Sequence, residues 1–274
     1  MKNAMAALLA RRLSLRGPMR LSHRGLARRR ASTLTSAVAW GDTSTWWDWS
    51  ARCLTLSAEA AGLPMEACGA FRRIWDKENS FVTRAHGATF VRPHHEIHMR
   101  VPSVVVVPRL ARVSARSFAW ACDVVDERDG AVVATTHGTF VHVDVETHAR
   151  TVPLPEAVVE ELRPLATGEP RPPPLSAAFS DDARRIDWTT TVRQSDSDDF
   201  HHVNNAKWAL LSADALLEAK RGVAAPTAVL VEYLRAARPG DALTATVADG
   251  ADGAARLALL ADGAEAAVVV EYKF

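Results

Sequence analysis

Ser195-Asp196-Ser197-Asp198-Asp199-Phe200-His201-His202-Val203-Asn204-Asn205-Ala206-Lys207-Trp208 runs without a break into Ala209-Leu210-Leu211-Ser212-Ala213-Asp214-Ala215-Leu216-Leu217. The first part crowds carboxylates, imidazoles and amides together, and the second is a largely apolar helical pattern. Their junction reads as a helix start, which presents free backbone N–H groups and partial positive charge. Such an end polarises a carbonyl while a nearby carboxylate handles water or a proton, an arrangement suited to ester or thioester chemistry. Taken alone, the stretch also fits an acidic N-cap with solvated Asp and Asn side chains. The rest of the chain favours chemistry.

The same pattern occurs once upstream. Asp42 stands 154 residues before Asp196, and Leu56-Ser57-Ala58-Glu59-Ala60 stands 155 before Leu211-Ser212-Ala213-Asp214-Ala215. A one-residue gap reconciles the two, so the spacing predicts an internal repeat. A first helix is expected over residues 50–61, ended by Gly62-Leu63-Pro64.

Downstream of each helix the periodicity turns strand-like. Candidate strands are 81–84, 90–99 (limited by Pro93), 103–107, 117–126 and 132–143 in the first half, then 186–192, 228–235, 242–247, 256–260 and 264–272 in the second. Glu127-Arg128-Asp129-Gly130, Asp249-Gly250 and Asp262-Gly263 supply turns between them. A short helix over 155–162 leads to Arg163-Pro164-Leu165-Ala166-Thr167-Gly168-Glu169-Pro170-Arg171-Pro172-Pro173-Pro174, which reads as an extended linker. The helix over 206–219 is apolar enough to be buried on most sides, and a curved antiparallel sheet wrapping it is the simplest solution. The fold class is α+β, repeated twice. The expected divisions are residues 1–36, 37–162, 163–185 (linker) and 186–274.

Composition narrows the class. With 48% hydrophobic and 24% charged residues, 274 residues suffice for two modest domains with real cores. Cys53, Cys68 and Cys122 are odd in number and lack metal-site spacing, so neither a disulfide framework nor a zinc ribbon is expected. No apolar run approaches the roughly 20 residues of a membrane span. Residues 1–41 hold no acidic residue but carry Lys2 and eight arginines among Ser, Ala and Leu, which reads as an organelle-targeting presequence over 1–36. A disordered basic arm for nucleic acid or membrane is the alternative. Of 33 lysines and arginines, those nine removed leave 24 against 32 acidic residues, about −8 for the rest of the chain. Such a body is unsuited to nucleic acid.

The motif now supports a resemblance. Asp196-Ser197-Asp198 followed by His202-Val203-Asn204-Asn205-Ala206-Lys207-Trp208 resembles the D-x-D…HVNN-x-x-[YW] signature of hotdog-fold thioesterases, in particular plant-type acyl-acyl carrier protein thioesterases, which join two hotdogs in one chain. Residues 96–102, 132–144 and 146–150 are similar to that family's first-half strands, and Val231-Glu232-Tyr233-Leu234-Arg235 sits where the family has a tyrosine- and arginine-containing strand. The resemblance implies a tandem hotdog, two buried helices wrapped by one joined antiparallel sheet. The departures are specific. Phe200 replaces the family's catalytic Asn, and Ala236 and Ala237 stand at its acidic and cysteine positions. Asp198-Asp199-Phe200-His201-His202 also resembles the Asp-x-Phe-Gly-His of single-hotdog acyl-CoA thioesterases, with His201 in place of Gly.

Asp198 is the candidate base or nucleophile, with N-capping as the alternative. His202 would orient Asp198 or donate to the substrate, and the backbone N–H groups near His202 and Val203 would face the carbonyl oxygen. Asn204 and Asn205 would brace the helix start, with substrate contact as the alternative. Ser44 falls opposite Asp198 in the repeat, so only the second half should be catalytic. His94, Glu96 and His98 share one strand face, but His95-Glu96-Ile97-His98 lacks the spacing of a helical zinc motif, and neither metal nor cofactor is expected. Trp46, Trp47 and Trp49 would line an acyl channel or belong to the core, and Cys53 has no supporting partner as a nucleophile.

The resemblance implies hydrolysis of acyl-acyl carrier protein thioesters to free fatty acid. An acyl-CoA thioesterase is the alternative, and a non-catalytic acyl-binding hotdog the second alternative. The partner is then the acyl carrier protein or CoA thioester; a homodimer is compatible. The presequence points to the plastid stroma by resemblance, and to the mitochondrial matrix by its arginine pattern.

Overall fold

The computed structural model describes residues 36–39, 53–54, 57, 61, 65, 68–78, 81–92, 103–144, 146–147, 150–169, 175, 183–198, 201–219, 225–249, 253–263 and 265–274. The expected presequence up to residue 35, Ser44, residues 46–49, residues 94–98, Phe200 and the proline run 172–174 lie outside them. The elements are β1 (Ser36–Ala39), α1 (Gly69–Glu78), β2 (Phe81–Phe90), β3 (Ser103–Val113), β4 (Ser117–Asp126), β5 (Val132–His142) and α2 (Glu156–Leu162) in the first half. The second has β6 (Arg184–Thr191), α3 (Asn205–Ala219), β7 (Ala228–Tyr233), β8 (Ala242–Asp249), β9 (Ala255–Ala261) and β10 (Glu265–Lys273).

All ten strands form one antiparallel sheet in the order β1-β3-β4-β5-β2-β7-β10-β9-β8-β6. Counted within its own half, each set of five has the same order, first-third-fourth-fifth-second, so the sequence repeat is a repeat of topology. The halves meet where β2 pairs with β7, from Ala85 opposite Glu232 to Thr89 opposite Ala228. Alternation along each strand sends one set of side chains toward the helices. Cys53 and Leu54, both helical, share one core with Trp208, Ala209, Ala215 and Leu216 of α3. This is the double hotdog expected from the motif.

Helix α3 buries a broad face through Trp208, Ala209, Ser212, Ala213, Ala215 and Leu216, while Asp214, Leu217 and Glu218 stay exposed, so it is less enclosed than its composition predicts. Ser212, whose hydroxyl would be costly to bury alone, lies 2.6 Å from the Tyr272 hydroxyl and donates to the Ala209 carbonyl. The turn after β4 needs a left-handed residue, and Gly130 takes φ +73° there.

Three features depart from expectation. Strand β3 continues through Pro108 to Val113. Beyond Val106 it has no strand partner on the β1 side among the described residues, and an edge is where a strand tolerates proline. That edge is instead met by the start of the linker, where Thr167 and Gly168 donate to the carbonyls of Leu110 and Ala111, each at 2.9 Å. Glu169 also pairs with Arg109. The linker's far end is shorter than expected too, since Arg184 and Arg185 already pair with Val247 and Thr246. Finally, residues 69–78 form α1, outside the expected helices, although Ala70, Phe71, Ile74 and Trp75 fall on one face at helical spacing. Its Phe71 and Trp75 pack among Phe81, Phe118 and Phe140 from three strands.

Candidate active site

The polar stretch between β6 and α3 folds into a closed loop. Arg193 N–H donates to the Asp196 carboxylate at 2.9 Å, and the Asp196 carbonyl accepts Asn204 N–H at 2.8 Å. Ser197 and Val203 form an isolated antiparallel bridge. Inside it, Asp198 N–H donates to the His202 carbonyl at 2.9 Å and His201 N–H to the Asp198 carbonyl at 3.1 Å. So tight a return forces one residue into the left-handed region, and His201 takes φ +57°. The single-hotdog signature carries Gly at that position, and the backbone explains why.

This loop sets Asp198, half-buried, directly before the helix start. Its carboxylate accepts the His202 backbone N–H in a long bond of 3.4 Å. The His202 imidazole makes no hydrogen bond among the described residues, so any orienting effect of His202 on Asp198 runs through its backbone. Asn204 is the N-cap: its amide oxygen accepts Ala206 N–H at 2.9 Å, and its carbonyl accepts Lys207 N–H at 2.8 Å. Lys207 also reaches Asp196 at 3.8 Å.

The expected oxyanion donors need correction. Val203 is buried and its N–H donates to the Ala237 carbonyl at 2.9 Å, while the His202 N–H faces Asp198. Neither is open to a substrate. Among the described residues of the first turn, the Asn205 N–H is the donor without a partner, because the chain four residues earlier is not helical. The same bond to Ala237 shows what that position does here: its main-chain carbonyl anchors the loop while its methyl group is buried in the core.

Beneath the helix start lies a group the motif reading did not single out. The Tyr233 hydroxyl donates to the Asn205 carbonyl at 3.1 Å and lies 3.3 Å from His86 Nδ1 on β2. His86 is buried, and burial, with a smaller contribution from His137, lowers its pKa to about 3. Gly138 makes room for it, since a Cβ there would come 2.4 Å from the Trp120 ring and 2.7 Å from His86. In the sequence this arrangement leaves Tyr233, at the resembled family's tyrosine position, and Gly138, but not the pairing between His86 and Tyr233. Among the described residues no group of His, Cys, Asp and Glu could hold a metal ion, and no helix is long and apolar enough to cross a membrane.

Residues 45–162 match the family model of the thioesterase-like superfamily. The match covers the first half, whereas the HVNN motif lies in the second. Solved structures span both. An acyl-ACP thioesterase from Bacteroides thetaiotaomicron is similar over 88% of this chain and 96% of its own, with TM-score 0.67 and 14% identity. A 12:0-ACP thioesterase from Umbellularia californica is similar over 88% and 96%, with TM-score 0.62 and 13% identity. At such identities the likeness is one of fold, and the fold is the double hotdog. Among curated proteins no sequence matches the chain significantly. The fold is thus that of a double hotdog, and the first half carries the family match to the thioesterase-like superfamily.

Proposed function

We propose that this protein hydrolyses acyl-acyl carrier protein thioesters, releasing the free fatty acid and the carrier's thiol. The observation that carries this reading is the juxtaposition of Asp198 with a helix start whose Asn205 N–H is unspent. The thioester carbonyl oxygen accepts from that N–H, where the helix dipole favours the negative charge that develops. Asp198 takes a proton from the attacking water, the tetrahedral intermediate expels the thiolate, and the proton held on Asp198 returns to the sulfur. Direct attack by Asp198, through an anhydride that water then opens, needs the same carboxylate and the same N–H. Asn204 holds the helix end, and His202 contributes its backbone N–H to Asp198.

The test is release of free thiol by purified protein from a panel of acyl-carrier-protein and acyl-CoA thioesters. Faster turnover of the carrier-protein series is expected, and no release from either series rejects hydrolysis in favour of acyl binding. One observation favours CoA as the carrier: His201, at the Gly position of the resembled single-hotdog acyl-CoA thioesterase signature, takes φ +57°, a backbone that favours glycine. Preference for the CoA series in the same panel would establish that second reading.

The acid-free, arginine-rich first 41 residues support import into an organelle, the plastid stroma by resemblance. Residues 1–44 fused to a fluorescent reporter should leave the cytosol, and a cytosolic signal rejects import.

A further inference from the structure

His86 and Tyr233 sit on β2 and β7, the two strands that join the halves. His86 lies opposite Val231, so Tyr233, two residues along β7, shares its helix-facing side. The Tyr233 hydroxyl has one proton, and a carbonyl oxygen can only accept, so that proton goes to Asn205. The bond between Tyr233 and His86 must then run the other way, from Nδ1–H of His86 to the tyrosine oxygen. This selects one tautomer of a neutral imidazole. Nε2 keeps its lone pair and has no hydrogen-bond partner among the described residues, beside an edge-on Trp120 whose ring centroid is 5.4 Å away.

We propose that His86, supplied by the N-terminal half, is a positioning residue for the site in the C-terminal half: through Tyr233 it anchors the first helical residue, Asn205, by its carbonyl, and so fixes in place the residue whose N–H is unspent. The proposal rests on the hydrolytic reading above for what that N–H does. It gives the tandem chain a physical purpose. The helix start that meets the substrate carbonyl is held from below by both halves, and the second half alone lacks the last link. A main-chain donor turned away from the developing oxyanion loses stabilisation of the transition state while substrate binding is little changed.

The experiment compares four variants of the full chain with the original. His86→Leu should lower kcat about tenfold with KM within about twofold. His86→Asn, whose amide nitrogen falls near the place of Nδ1, should recover kcat to within about threefold of the original. Tyr233→Phe should match His86→Leu, and the double variant should be no worse than either, because the two residues form one chain. An unchanged kcat in His86→Leu, failure of His86→Asn to recover it, or additive losses in the double variant each overturn the proposal. Nitrogen-15 NMR of histidine-labelled wild-type protein reads the tautomer without any turnover or any variant. A proton on Nδ1 and none on Nε2 at neutral pH is expected. The opposite tautomer overturns the proposal whether or not thioesters are cleaved. The expected tautomer in a protein that cleaves no thioester instead rejects the hydrolytic reading, and with it the catalytic purpose of the link.

Discussion

The Glu161 carboxylate at the end of α2 accepts Ala70 N–H at 2.8 Å and Phe71 N–H at 3.4 Å, so the first turn of α1 is capped by a side chain 91 residues away. A negative charge at a helix N-terminus is favourable twice over, as a hydrogen-bond acceptor and against the helix dipole. Replacing Glu161 by Ala should cost about 1–2 kcal/mol of stability. Urea unfolding measures it, and a midpoint unchanged from wild type would show that the aromatic packing of Phe71 and Trp75 holds α1 unaided.

Asp196 and Asp198 share one motif and differ in employment. The Asp196 carboxylate accepts Arg193 N–H inside the loop, whereas that of Asp198 stands at the helix start. Asp198→Asn keeps the shape and an acceptor oxygen but loses the charge, and should lower kcat by about 10²-fold or more in a folded protein. Asp196→Asn should leave kcat within about threefold. Thiol-release kinetics on both variants decide the assignment, and equal losses would contradict it.

His201 holds φ +57°, which costs an L-residue free energy that glycine does not pay. His201→Gly should therefore raise stability, by about 0.5–1 kcal/mol after allowing for the greater freedom of glycine in the unfolded chain. His201→Val, β-branched, should lower it. Denaturation midpoints moving in the same direction for both would count against the loop conformation described.

A methyl group at position 138 has nowhere to go. Gly138→Ala would place Cβ 2.4 Å from the Trp120 ring and 2.7 Å from His86, neither of them the loose end of a flexible chain. Overpacking of this kind should destabilise by about 1–3 kcal/mol. Loss of midpoint together with an altered tryptophan fluorescence spectrum would report it, and an unperturbed protein would mean that the rings are free to move apart.

His86 also makes stability depend on pH. Its folded pKa is about 3 against an ordinary 6.5, and that of His137 is lowered by burial to about 4. Below 6.5 the unfolded chain binds protons that the folded chain does not, so stability is complete above that pH and is lost as pH falls toward the folded values. Each histidine should contribute a slope of about 1.4 kcal/mol per pH unit between roughly pH 6 and pH 4. Unfolding free energies of wild type and His86→Asn over that range should differ in slope by about one such unit. Parallel lines would show that His86 takes up a proton without unfolding.

Much of this fold is local in origin, and so was legible in the sequence. Period-two alternation marks β4, β5 and most other strands, and Gly130 and Asp262-Gly263 take the left-handed backbone that their turns demand. The apolar run after Asn204 marks α3, and the repeat of 154–155 residues announces a second copy of the same topology. These depend on what each residue's neighbours in the chain are. The tertiary structure alone decided the rest. It capped α1 from Glu161 and gave it aromatic partners on three strands, and it docked Thr167 and Gly168 on the backbone of β3. It spent the Val203 N–H on Ala237 and left that of Asn205 unspent, and it brought His86 under a helix that begins 119 residues later. A sequence names donors and acceptors, but which of them meet depends on strand register and on residues brought from the other half of the chain.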